Sequence, residues 1–197
     1  MIAGIVLAAG AGTRFGGIKQ LAPFRGRPLI EHVLAAMAAT PLDARYVVLG
    51  ANAAEIIAGA DLHGAESVLC EEWAAGQSAS LRAGVEAAGD AEAAVIALGD
   101  QPLLAPAAFR RVLDARGSAA AVRATYGGVP GHPVLLERVL LDRVGGLAGD
   151  TGARALLADA EVADVPCDGL GSPADVDTPE TLRELEASST TINPSDV

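Results

Sequence analysis

The chain has 197 residues, 51% of them hydrophobic and 20% charged, with a formal net charge of -11; this suits one folded domain with a substantial core and excludes a disordered chain. Aromatic residues make up 3%, too few for platforms that stack single-stranded nucleic acid, and the acidity removes the basic face that nucleic-acid binding needs. Any polyanion this protein binds must therefore be held by a few local donors and by metal ions. Cys70 and Cys167 stand far apart with no C-x-x-C partner, so neither a disulfide framework nor a zinc site is expected. The start "MIAGIVLAAG" lacks a basic leader and is too short to span a bilayer. A reducing cytoplasm with no membrane partner is the expectation.

The first element is the apolar run "IAGIVLAA", which predicts a strand buried on both faces. It feeds "LAAGAGTRFGGIKQL", residues 7 to 21. This loop is neither of the two common phosphate loops. Gly10 and Gly12 begin a G-x-G-x-x-G, but Phe15 stands where the third glycine belongs. Gly17 is followed by Ile18, and Lys19 by Gln20 rather than Ser or Thr, which breaks the Walker pattern. Gly10, Gly12, Gly16 and Gly17 still allow a turn whose backbone approaches an anion closely, and Arg14 and Lys19 add charge. Lys19 is also the only lysine in the chain, the other 13 cationic residues being arginine. A compact point charge retained in an arginine-biased sequence marks a site that a planar guanidinium does not serve.

Further along, "PLIEHVLAAMAAT", opened by Pro28, reads as an amphipathic helix, and "RYVVLG", "SVLC", "AAVIALG" and "AAAVRATY" read as strands. The alternation predicts a three-layer α/β fold with a mostly parallel sheet, whose ligands sit at the carboxyl ends of the strands. The polar run Gly76 to Ser80 in "EWAAGQSASLRAG" is expected to precede a helix ending at Gly84, with Gln77, Ser78 and Ser80 free to donate to a ribose, base edge or phosphate, or with a serine serving as helix cap. Asp100, in "GDQP", follows a strand, and Asp175 and Asp177 lie in "DVDTP" before a helix opened by Pro179; Pro106 opens another. Asp100 and Asp177 are candidate Mg²⁺ ligands, since Mg²⁺ takes one or two carboxylates with phosphate oxygens and water. Each is equally a turn or cap residue on sequence alone. "GVPGHPVLL" and "LAGDTGARALL" place His132, Asp150 and Arg154 in what reads as glycine-rich turns. His32 and His63 have no metal-like spacing. Residues 1–187 are expected to form a single domain, with a disordered tail over 188–197.

Taken together, "LAAGAGTRFGGIKQL", "GQSASLRAG", "GDQPLL", "GVPGHPVLL", "LAGDTGARALL" and "DVDTPETL" resemble the MobA-like nucleotidyltransferases. Within that family the chain is most similar to the molybdenum cofactor cytidylyltransferases, from the N-terminus to about Leu185. The resemblance implies a Rossmann-like fold of the nucleotide-diphospho-sugar transferase type. It implies a nucleotide site of Leu7, Ala8, Ala9, Gly10, Gly12, Arg14, Lys19, Gln77, Ser78, Ser80 and Asp100, with Lys19, Arg14 and Asp100 catalytic. Asp100 and Asp177 match its Mg²⁺ ligands, and His132, Asp150 and Arg154 its acceptor-binding motifs. Ala9, where guanylyl-transferring relatives read "LAGG", is similar to the cytidylyl branch. Ala79 departs from the two consecutive serines common in relatives, which bears on nucleotide choice.

The expected activity is transfer of CMP from CTP to the phosphate of a molybdopterin-type cofactor, with pyrophosphate released and transient contact with a molybdoenzyme or its chaperone. Transfer to a sugar phosphate or other small phosphate, guanylyl transfer, and a catalytically idle nucleotide-binding or cofactor-delivery module are the alternatives.

Overall fold

The computed structural model describes residues 1–189. Its centre is a seven-stranded sheet of β1 (Ile2–Leu7), β4 (Ala44–Leu49), β5 (Glu66–Leu69), β6 (Ala93–Leu98), β7 (Ala121–Tyr126), β8 (Val129–Glu137) and β9 (Val162–Pro166). The order is β5-β4-β1-β6-β8-β7-β9. All neighbours pair in parallel except β8, which runs antiparallel to both β6 and β7. A two-stranded ribbon, β2 (Pro23–Phe24) with β3 (Arg27–Pro28), stands apart. The helices are α1 (Leu29–Ala38), α2 (Ala53–Gly59), α3 (Gln77–Ala88), α4 (Pro106–Asp114), α5 (Arg138–Leu141), α6 (Arg154–Ala158) and α7 (Pro179–Ser189).

The strand period of two divides the core into two layers. On β6, Ala93, Val95 and Ala97 pack with α1 and α4 residues such as Val33, Met37 and Phe109, while Ala94 and Ile96 pack with Leu81 of α3, Leu140 of α5 and Leu156 of α6. β1 does the same, sending Val6 one way and Ile5 the other. Both faces are thus covered, as the uninterrupted apolar runs require. Cys70 and Cys167 are both buried and unpaired. Among the described residues, no helix is long and apolar enough to cross a membrane.

The structure corrects two local expectations and adds one strand. The helix after Gly76 begins at Gln77 and runs through Gly84 to Ala88, so Ser78 and Ser80 are helical and neither caps it. Gly84 is there for close approach: a Cβ would lie 2.6 Å from Ile5 Cγ2 and 3.0 Å from Val48 Cγ2. "GVPGHPVLL" is not a turn but most of β8. Its prolines fall where the ladder to β6 has ended, at Val134, and where pairing with β7 is irregular, positions that need no continuous row of N–H donors. The added strand is β9, a half-exposed edge strand without the apolar run that marks the central strands. Asp150 lies in a one-turn 3₁₀ segment, Gly149–Thr151, and Arg154 opens α6. α7 continues to Ser189, and residues 190–197, the rest of the tail expected to be disordered, lie outside the described residues.

Gly84→Ala should destabilise the protein by about 1–2 kcal/mol in urea unfolding, overpacking outweighing the helix propensity gained. Gly145→Ala, with open space around its Cβ position, should change stability by less than about 0.5 kcal/mol; equal effects would contradict the close-packing account.

Candidate functional site

The loop after β1 is shaped from beneath by Gln20. This side chain is 4% exposed, and its amide donates to the carbonyls of Ala8 (2.9 Å) and Gly10 (3.1 Å), tying the short 3₁₀ turn Lys19–Leu21 to the end of the strand. Gly12 adopts φ +61°, and a side chain there would press on Lys19 Cβ at 3.2 Å. The loop therefore closes tightly enough to seat Lys19 over the strand ends.

Lys19 Nζ lies 2.8 Å from Asp100 Oδ2 and 3.6 Å from Asp177 Oδ1, and Arg14 Nη1 lies 2.9 Å from Asp177 Oδ2. Asp100 is thus not a helix cap; α4 has none from a side chain. Asp177 is also free of capping work, because Thr178 and Thr181 exchange hydrogen bonds at the start of α7, each hydroxyl accepting from the other's backbone N–H. Val176, fully buried with Phe24, Leu29 and Leu182, anchors the segment between Asp175 and Asp177, and its N–H donates to the Asp100 carbonyl at 2.9 Å. That anchor turns Asp177 toward Lys19.

These groups border a cleft of about 390 Å³. Leu7, Ala8, Ala9, Gly10, Gly12, Arg14, Lys19, Gln77, Ser80, Asp100 and Asp177 all line it. Ser78 does not: it is fully buried, its hydroxyl without a hydrogen-bond partner. A second cleft of about 430 Å³ adjoins the first and takes in His132, Asp150 and Arg154. Gln77, Leu98 and Asp150 border both clefts, and Asp150 accepts a hydrogen bond from the Gln77 N–H at 3.3 Å.

Several lining residues were not singled out by sequence. Trp73 borders the first cleft, and Arg123 and Gln101 border the second, beside Asp175, which the sequence had offered as a carboxylate supporting Asp177. Arg123 is held by Asp164 through paired hydrogen bonds of 2.9 and 3.1 Å. Gln101 donates to Asp175 at 2.6 Å and to the Pro173 carbonyl at 2.9 Å. Burial pushes the Asp175 carboxyl upward, opposed by the Gln101 hydrogen bond and reinforced by Asp100 and Asp177. The signal for Trp73 was its being the only tryptophan in an aromatic-poor chain; nothing local marked Arg123.

Among the described residues, no group of three or more His, Cys, Asp or Glu side chains stands close enough to hold a metal. Two carboxylates do converge on one ammonium, and Asp100 Oδ1 is buried with no hydrogen-bond partner. This fits a hard cation that completes its shell with phosphate oxygens and water.

The His132 ring lines the second cleft. Desolvation pushes its pKa down to about 4, Arg154 adding to the shift and Asp100 opposing it. The fold therefore holds the neutral ring, and below about pH 6.5 the unfolded chain binds the extra proton. Stability from this group is intact at neutral pH and is lost as pH falls from about 6.5 toward 4, by at most about 3 kcal/mol. His132→Gln should flatten that part of the pH–stability curve in urea titrations; an unchanged slope would contradict it.

The family model described as the MobA-like NTP transferase domain matches residues 4–165. Nicotine blue oxidoreductase of Paenarthrobacter nicotinovorans is 33% identical over 195 residues, covering 93% of this chain and 96% of that protein. The crystal structure of Rv0371c from Mycobacterium tuberculosis H37Rv aligns with a TM-score of 0.87 at 33% identity, over 94% of this chain and 97% of that one. A structure of Rv0371c in complex with manganese aligns at 0.83 with 32% identity, over 95% and 98%.

Proposed function

Since the chain belongs to the MobA-like NTP transferase family and is a nucleotidyltransferase of that kind, we propose that it transfers CMP from CTP to the phosphate of a molybdopterin-type cofactor in the cytoplasm. The observation that carries this reading is the pair of clefts of similar size meeting at Gln77, Leu98 and Asp150. A donor and an acceptor need such a shared wall to react without crossing solvent. Ala9 in the loop and the motif order support CTP and the pterin acceptor.

In the reaction, an acceptor phosphate oxygen bonds to the α-phosphorus of the nucleotide as the bond to the β-phosphate oxygen breaks and pyrophosphate leaves. The attacking oxygen is already anionic, so no strong general base is required, and His132, held neutral, is not needed as one. The work is positioning and charge balance. The glycine loop offers backbone to the phosphates, and Lys19 and Arg14 offset charge on the leaving pyrophosphate. Arg154, whose guanidinium has no hydrogen bond or ion pair among the described residues, borders the second cleft and is free to meet an acceptor anion there. Asp100 and Asp177 would hold a divalent cation, Mg²⁺ in this reading, which neutralises phosphate oxygens when bound; a relative of this chain is described in complex with manganese.

Pyrophosphate release from CTP with a molybdopterin-type acceptor tests the proposal. Lys19→Ala should lower turnover by roughly 100-fold or more in protein shown folded by circular dichroism. Wild-type turnover in that variant would remove Lys19 from the mechanism. Turnover with sugar 1-phosphates but not with the pterin would move the reading to another acceptor.

A second reading rests on the full-length similarity to nicotine blue oxidoreductase, with the first cleft holding a redox dinucleotide. Phe15 at the third glycine of the dinucleotide fingerprint opposes it. Oxidation of NADH or NADPH by the purified protein with a quinoid dye acceptor would favour it over nucleotidyl transfer.

A further inference from the structure

The first cleft has two unlike ends, and the sheet order says how far apart they are. Asp100 follows β6, whereas Gly50, the residue after β4, touches the root of Trp73; β1 lies between the two strands. Two strand spacings are about 10 Å. At one end stand Lys19, Arg14, Asp100 and Asp177; at the other stands the side chain of Trp73, next to the first turn of α3.

Trp73 is fixed there by packing. A Cβ at Gly50 would lie 2.5 Å from Trp73 Cβ, 2.6 Å from its Cγ and 2.7 Å from the Ala9 carbonyl oxygen. Only glycine lets the tryptophan sit this close to the strand end and the loop. Its inner part packs on the core layer that contains Val48 and Cys70, and the remainder borders the cleft. Gln77 and Ser80 bring an amide and a hydroxyl to the same end, the groups that read a base edge or a ribose.

We infer that Trp73 is the nucleobase contact of this cleft, an aromatic surface against which the base rests while its phosphates reach the Lys19 end. The inference rests on the nucleotide reading and deepens it. A span of about 10 Å across β1 suits a ribose and its first phosphate between the two ends. Pyrophosphate, which has no base, occupies the charged end alone.

Because Trp73 is the chain's single tryptophan, its emission reports on this end without a label. Wild-type protein with Mg²⁺ would be titrated with CTP, GTP and pyrophosphate, following both tryptophan emission and calorimetric heat. The expected result is binding heat for pyrophosphate and for at least one nucleotide, with emission changed by that nucleotide only. Trp73→Ala should weaken that nucleotide roughly 10-fold or more while leaving pyrophosphate affinity within about twofold, and Trp73→Phe should keep most of it. Nucleotide heat with unchanged emission, an equal emission change with pyrophosphate, or wild-type nucleotide affinity in Trp73→Ala would overturn the assignment of Trp73 and leave the nucleotide reading standing. No heat with any nucleotide, in protein shown folded by circular dichroism, would overturn both.

Discussion

One ammonium group between two carboxylates organises this site. Lys19 pairs with Asp100 and Asp177, and Asp177 pairs in turn with Arg14, so the cations that would meet a triphosphate are already matched by the protein's own anions. At an effective dielectric of about 20, unit charges 4 Å apart interact by about 4 kcal/mol. A triphosphate entering alone would gain that attraction from the cations and lose much of it to the carboxylates. A divalent cation held by Asp100 and Asp177 would reverse the balance, leaving Lys19 and Arg14 to face the phosphates, and would let a chain with a net charge of -11 hold a polyanion.

The rest of the fold keeps those few atoms in place. β1 and β6 lie side by side in register, Leu7 opposite Leu98, so the loop after one strand and the aspartate after the other leave the sheet at the same level. Asp177 comes from far along the chain and depends on the small satellite core of Phe24, Leu29, Val176 and Leu182. The β2–β3 ribbon contributes Phe24 to that core, which gives this two-stranded appendage a role in shaping the site. Gln20 does the corresponding work beneath the loop.

The layered fold was legible because both faces of the central strands are covered, leaving apolar runs that stand out in sequence. β8 and β9 were not. β8 carries Pro130 and Pro133, tolerable only because of where its ladders end, and β9 is an edge with one face wet; both facts belong to tertiary structure. Gly10, Gly12, Lys19, Asp100 and Asp177 were readable as chemistry before any geometry was known, and the cleft brings them together, without Gly16 and Gly17. Ser78 was misread as cleft-facing because the helix begins at Gln77, inside the polar run rather than after it, and turns Ser78 into the core. Trp73, Gln101 and Arg123 escaped notice because what places them is a neighbour distant in sequence: Gly50, Asp175 and Asp164 respectively.

If the cleft is a nucleotide site, its affinity should depend on a divalent cation taking the carboxylates from Lys19 and Arg14. The most direct measurement is the melting temperature of the protein with CTP, GTP and ATP, each with Mg²⁺ and with chelator. A ligand at 100 times its Kd adds about 2.7 kcal/mol, roughly 5–10 °C for a chain of this size. Such a rise is expected for at least one nucleotide with Mg²⁺, largest with CTP, with little or none in chelator. Equal stabilisation with and without the metal, or none with any nucleotide, would contradict it.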